Sequence, residues 1–284
     1  MKKLTCVLLL VGSSLSASPN DDLKSAAAAR DPLALEAVLA KKPDINAPLD
    51  EYRQTALFIV LEGESTPEQN MLRCAKLLIA SGADVNAKAY DRGSTVLHSL
   101  ASPWKKLSDE HLEIVDALIA AGFDPSAATR DGETVLAAAI EKPKPALMKK
   151  LIDAGAELNP VLKNGQNYVH FVARLDREKK DIDKALELLI AAGVDFDTPD
   201  DRGRTPLHYI AEFGNEDALR AILKYKLRID RKDNDGKTAI DLALRPKGIA
   251  DNNSYEKKLA AMIRKAKGLP KLTEIGTIFA ASER

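Results

Sequence analysis

Three histidines, His98, His170 and His208, stand five residues after Gly93, Gly165 and Gly203, so the cause that fixes one position fixes all three. A shared metal would need ligands about 2.0 to 2.1 Å from one ion. Equivalent residues on neighbouring packed helices lie about 8 to 10 Å apart, which forbids convergence. A buried imidazole instead needs backbone or hydroxyl partners. His111, in an inserted stretch, reads as an exposed residue. Cys74, between Arg73 and Ala75 on a predicted helix, lacks a reactive context and reads as a packed hydrophobe. The pairs Asp21-Asp22 and Asp200-Asp201 read as solvated loop charge. Asp233-Asn234-Asp235-Gly236 has the start of a calcium loop without its downstream glutamate, and reads as a turn. The glycine and Lys-Ser/Thr of a phosphate loop do not occur at their set spacing, nor does Gly-x-Ser-x-Gly. The expectation is no catalytic residue, no metal and no cofactor, hence no enzyme.

What positions these residues is a phrase that recurs six times. It reads Arg53-Gln54-Thr55-Ala56-Leu57, Gly93-Ser94-Thr95-Val96-Leu97, Gly132-Glu133-Thr134-Val135-Leu136, Gly165-Gln166-Asn167-Tyr168-Val169, Gly203-Arg204-Thr205-Pro206-Leu207 and Gly236-Lys237-Thr238-Ala239-Ile240. The anchors fall 40, 39, 33, 38 and 33 residues apart, the period of a stacked helical solenoid. Each phrase opens an apolar stretch such as Thr205 to Ala211, followed by a polar break and a second apolar stretch such as Ala218 to Leu223. Two short antiparallel helices per unit follow from that periodicity. The second helix ends at Gly82, Gly122, Gly155 or Gly193, where a left-handed closure is expected.

Helix, helix, Gly-Ala-Asp turn and a long loop into Gly203-Arg204-Thr205-Pro206-Leu207-His208 resemble the ankyrin repeat, across residues 22 to 268. The resemblance implies an all-α ankyrin-repeat solenoid, about six repeats plus a degenerate N-terminal capping unit, with projecting loops or short β-hairpins. Its units run over 22–49, 50–89, 90–128, 129–161, 162–199, 200–232 and 233–268, followed by a tail or cap at 269–284 that carries Ile275, Ile278 and Phe279. It also implies that the repeated histidine bonds backbone and threonine groups across repeats. Protein partners are implied at the concave side and loop tips, at the two positions before the key glycine, the one after it, and the end of the first helix. Carried onto this chain, these positions include Tyr52, Gln54, Asp91, Arg92, Arg130, Glu133, Lys163, Gln166, Asp201, Arg202, Arg204, Glu212 and Phe213. Tyr52, Tyr90, Arg130, Arg202 and Phe213 are the expected anchors, because aromatic residues and arginine carry most affinity. Extra residues at Glu64 to Asn70, Ser102 to Glu110 and Asp176 to Asp181 form a second candidate surface, and the second of them holds Trp104, the only tryptophan.

Lysine and arginine number 42, as do aspartate and glutamate, a balance unlike that of nucleic-acid-binding proteins. Lys2 and Lys3, the apolar run Leu4 to Val11 and the small residues Gly12 to Ser18 read as a secretory leader over residues 1–18, with cleavage near Ser16 to Ser18. The run is too short for a permanent membrane anchor, which takes roughly 20 apolar residues. Cys6 has only five residues before it, too few for the apolar segment of a lipoprotein leader. Beyond the leader Cys74 is the sole thiol, so no disulfide forms within the chain. The function expected is a monomeric, periplasmic protein-binding module, a scaffold or helper for a resident protein. The alternatives are an immunity or inhibitor protein that occludes a toxic enzyme, and an enzyme built on the solenoid.

Overall fold

In the computed structural model the described residues are 18–62, 67–159, 163–175, 180–225, 227–244 and 253–266. The leader up to residue 17, the tail at 269–284 and parts of the first and third inserted stretches lie outside them. Among the described residues there are fourteen α-helices and no strands, only an isolated antiparallel bridge between Ala89 and Ser94. The helices come in consecutive pairs: α1 (Pro19–Ala29) with α2 (Pro32–Leu39), α3 (Ala56–Glu62) with α4 (Glu68–Ala80), and α5 (Val96–Ala101) with α6 (Asp109–Ala120). The series continues with α7 (Val135–Glu141) and α8 (Pro145–Asp153), α9 (Tyr168–Ala173) and α10 (Ile182–Ala191), α11 (Pro206–Phe213) and α12 (Glu216–Ile222), and α13 (Ala239–Ala243) and α14 (Asn253–Ala266).

These helices begin and end where local chemistry requires. Thr134, Thr205, Thr238 and Asn167 cap the first helix of their units from extended backbone. Ser18, which the sequence assigns to the leader, caps α1 in a capping box with Asp21. Asp21 and Asp22 therefore lie in the first turn of a helix and not in a loop, where their charge complements the helix dipole. Gly82, Gly122, Gly155 and Gly193 close α4, α6, α8 and α10 at φ of 91, 90, 89 and 92°.

The chain forms two compact units, one of Met1–Leu100, Leu107–Phe123 and Ala128–Asp131, the other of Ala101–Lys106, Asp124–Ala127 and Gly132–Arg284. Within the first, α1 packs on α3, while α2 packs on α4 and α4 on α6. Within the second, the first helices α7, α9, α11 and α13 stack in order, and α8, α10 and α12 form a parallel file. Small and aliphatic side chains fill both cores, with Ala56, Ala75, Leu78 and Leu97 in the first and Ala139, Ala173, Ala185 and Leu189 in the second, all at 0% exposure. Tyr168 is also fully buried, and its hydroxyl reaches Thr134 Oγ1 of the preceding pair at 2.6 Å.

A Cβ at residue 193 would meet nothing within 4 Å, so the backbone conformation alone demands glycine there. Gly193→Val is expected to cost about 1 to 2 kcal/mol of stability. An unchanged thermal midpoint would remove the left-handed closure from the account of how α10 ends.

Candidate protein-binding surface

The repeated histidines complete the helix caps. The backbone N–H of Thr95 donates to His98 Nδ1 at 3.1 Å, and that of Thr205 to His208 Nδ1 at 3.1 Å. The threonine hydroxyls lie 2.8 and 2.9 Å from the same nitrogens. Because Nδ1 of His208 accepts, the proton of its neutral ring sits on Nε2, which points at the Lys237 carbonyl in the next loop at 3.2 Å. His170 joins Asn167 to the Arg204 carbonyl in the same way, at 2.8 and 3.0 Å. Burial lowers the pKa of both His170 and His208, against the opposing pull of those carbonyls. His111 is corrected: it is 4% exposed, and its ring bonds Ser108, the cap of α6, at 2.8 Å. An N-cap serine three residues before it was the available signal.

The loops before α3, α11 and α13 are built on an aspartate three residues ahead of the anchor. Asp50, Asp200 and Asp233 each accept two backbone N–H bonds through Oδ1, from Tyr52 and Gln54, Arg202 and Arg204, and Asp235 and Lys237, all at 2.9 to 3.0 Å. The Asp233 stretch is thus a turn, as its sequence suggests. Asp200 is no solvated charge: it is 6% exposed, and although burial opposes ionisation, bonds from Tyr209 and Gln166 hold its pKa down.

Neighbouring loops are joined by backbone bonds. Tyr90 N–H donates to the Tyr52 carbonyl at 2.7 Å and Arg130 N–H to that of Arg92 at 2.8 Å in the first unit. In the second, Asp201 N–H donates to the Asn164 carbonyl at 3.0 Å and Asn234 N–H to that of Arg202 at 2.9 Å. With the backbone spent in this way, the side chains of Tyr52, Asp91, Arg92 and Arg130 in the first unit, and of Asp201 and Arg202 in the second, stand exposed. Of Lys163 only the backbone is described, in a single turn of 3-10 helix. Glu133 is half-buried, Phe213 is 41% exposed at the end of α11, and Trp104 is 93% exposed.

Other expected contact residues are occupied within the protein. The residue after the anchor bonds the one eight positions on, at the end of the first helix: Gln54 to Glu62, Gln166 to Arg174 at 2.9 Å, and Arg204 to Glu212 at 2.8 Å. Around the first pair the Tyr90 hydroxyl bonds Glu62 and takes a 2.6 Å bond from Gln54, while Ser99 donates to Glu62 at 2.6 Å. Burial and the Glu62 carboxylate push the Tyr90 pKa up. Around the others, Tyr209 donates to Asp200 at 2.5 Å, and the guanidinium carbons of Arg174 and Arg204 lie over its ring, 5.6 and 5.8 Å from the centroid. Arg204 also reaches Asp233 at 3.2 Å; burial works against its charge, but Glu212 and Asp233 hold its pKa above the usual value. Gln54 and Tyr90 therefore belong to a polar cluster at the first helices of the first unit, and Gln166, Arg204 and Glu212 to one in the second. Glu62, Arg174, Asp200, Tyr209 and Asp233 belong to these clusters and were missed in the sequence, although complementary types eight residues apart in three repeats were there to be seen.

A family model described as ankyrin repeats matches residues 67–161 and 173–251. The chain belongs to the ankyrin-repeat family. An ankyrin repeat domain from Acinetobacter baumannii is 27% identical and superimposes with a TM-score of 0.60, over 72% of this chain and 98% of that one. The human ASB11 ankyrin repeat domain, 20% identical with a TM-score of 0.63 over 87% and 98%, shares the fold. Protein glp-1 of Caenorhabditis elegans is 25% identical over 79% of this chain, which spans 18% of that protein. Among the described residues no group of three His, Cys, Asp or Glu side chains is placed to hold a metal, and no helix is long and apolar enough to cross a membrane. The ankyrin array is a protein-interaction module.

Two outcomes follow from its buried polar groups. Because the folded pKa values of His170 and His208 lie below the ordinary 6.5, the unfolded chain binds protons first as pH falls. Stability is therefore expected to be full above about pH 6.5 and to drop as pH falls from there toward the folded values. Denaturant midpoints for the parent and His208→Gln test this, with a shallower pH slope expected in the variant. Arg204→Met leaves Asp233, whose side chain is 1% exposed, without its guanidinium, and is expected to cost roughly 2 to 3 kcal/mol in the same measurement.

Proposed function

We propose that this chain is an exported, monomeric ankyrin-repeat protein of the periplasm that acts as a scaffold or helper for a resident protein, with no chemistry of its own. The observation that carries the binding reading is the division of labour in the loops: backbone bonds join their neighbours and leave the side chains of Tyr52 and Arg202 exposed, together with those of Arg92, which pairs with Asp131 at 3.1 Å, and Arg130, which donates to the Asp91 carbonyl at 2.7 Å. Aromatic and arginine side chains on a pre-ordered backbone bind at low entropic cost. Export rests on Lys2, Lys3 and the apolar run Leu4 to Val11. A single buried thiol, Cys74, suits an oxidising compartment, because it offers neither a pairing partner nor an exposed reactive sulfur. Burial raises its pKa to about 11, which keeps it a thiol.

Cell fractionation tests the location, with Leu8→Arg expected to hold the protein in the cytoplasm. Capture from periplasmic extract tests the role. One stoichiometric resident partner, retained by the parent and lost with Arg202→Glu, is the expected result; an empty capture would overturn the resident-scaffold reading in favour of an inhibitor of an incoming enzyme. Arg202 contributes its backbone to the loop ladder while its side chain is exposed, so Arg202→Glu is expected to weaken partner binding about tenfold or more with the thermal midpoint unchanged.

A further inference from the structure

Trp104 stands 93% exposed in the loop that follows α5. An indole left almost wholly in water gains nothing from folding, whereas tryptophan is among the residues most enriched at binding hot spots. The base of its loop is fixed: Lys144 Nζ donates to the carbonyls of Ala101 and Ser102 at 3.0 and 2.6 Å, and Lys105 N–H donates to the Ser102 carbonyl at 3.1 Å. The loop and the α7–α8 turn that Lys144 ties to its base are rich in lysine. Residues 101–106 and 142–146 contain four lysines and no aspartate or glutamate, in a chain whose net charge is zero; Glu141, exposed, precedes the second stretch. Lys106 and Lys142 are exposed. Burial, and then the charges of Lys142 and Lys105, lower the Lys144 pKa to about 8, so the ammonium groups of Lys105 and Lys142 both act on that of Lys144.

We propose that the Trp104 loop, with Lys106 and Lys142, is a docking site for an acidic segment of a partner protein that also carries apolar side chains. The indole supplies apolar contact area and the lysines pair with the segment's carboxylates, whose negative charge relieves the repulsion among the ammonium groups. The site uses none of the loop-tip residues, so it extends the reading of the chain as a protein-binding module without depending on Arg202 or its neighbours.

The test uses the purified chain and a fluorophore-labelled dodecapeptide of Glu-Asp-Leu triplets free of tryptophan. As the only tryptophan in the chain, Trp104 reports its own site. Expected are a blue shift of Trp104 emission on titration, peptide anisotropy that saturates, and an affinity that falls with salt as screening shortens to roughly 10 Å at 0.1 M. The double variant Lys106→Glu/Lys142→Glu is expected to lose about tenfold or more in affinity with unchanged circular dichroism, while Arg202→Glu binds the peptide like the parent. Trp104→Ala, followed by anisotropy alone, is expected to weaken binding similarly. Equal affinity of the parent and the double variant, or anisotropy without any change in Trp104 emission, would overturn the proposal. Tighter binding of a thymidine dodecamer than of the peptide would also overturn it, in favour of a single-stranded nucleic acid stacked on the indole.

Discussion

Two helices of five to fourteen residues have one apolar stripe each and cannot bury it against one another alone, so within each compact unit the pairs cover one another. That constraint selects small residues where first helices meet, as at Ala139 and Ala173, and it leaves the polar ends of each pair to be satisfied across the seam. The imidazoles of His170 and His208 do this from the helix start, reaching the carbonyls of the following loop. Backbone bonds between loops do it farther out, at Asp201 to Asn164 and Asn234 to Arg202. On the proposed reading, recognition falls to the side chains that these joints leave exposed.

The alternation of roles along one loop is the structural basis for reading it as a binding surface. Asp200 turns inward and organises the backbone through two N–H bonds, Arg202 turns outward, and Arg204 turns inward again onto Glu212 and Asp233. A partner approaching this loop meets a guanidinium on a backbone whose conformation is already fixed, so little ordering remains to be done on binding. The polar cluster beneath, in which Arg174 and Arg204 both lie over the Tyr209 ring, supports the loop from the helix side.

Period, helix pairs and closing glycines were legible in the sequence, because each rests on a local rule that recurs: a hydroxyl or amide cap, an apolar stripe, a residue free to take positive φ. The nature of the repeated histidines was legible for the same reason. What escaped was which polar side chains face one another. Gln166 and Arg204 sit at positions that resemble contact sites, yet their partners Arg174 and Glu212 lie a full helix away and come into reach only when the helix is built. Asp200 was misjudged because its burial involves Gln166 of the preceding repeat, which its own repeat does not reveal, whereas His111 was misjudged although its partner Ser108 lies three residues before it. Conversely, nothing in the run Ser102 to Lys106 distinguishes an indole folded under its loop from one held out in water, and the structure places it outside.

The backbone bonds between loop tips also divide each repeat into an end whose length is fixed and an end free to grow. An added residue near Arg202 would move its carbonyl away from Asn234 and unfasten two repeats at once. An added residue between the two helices of a pair disturbs no such bond, and there this chain carries its surplus: the 33-residue intervals have none, whereas those of 38 to 40 hold the stretches at 64–70, 102–110 and 176–181. New surface is thereby acquired on the helix-turn edge by simple lengthening, and on the loop-tip edge only by exchanging one side chain for another.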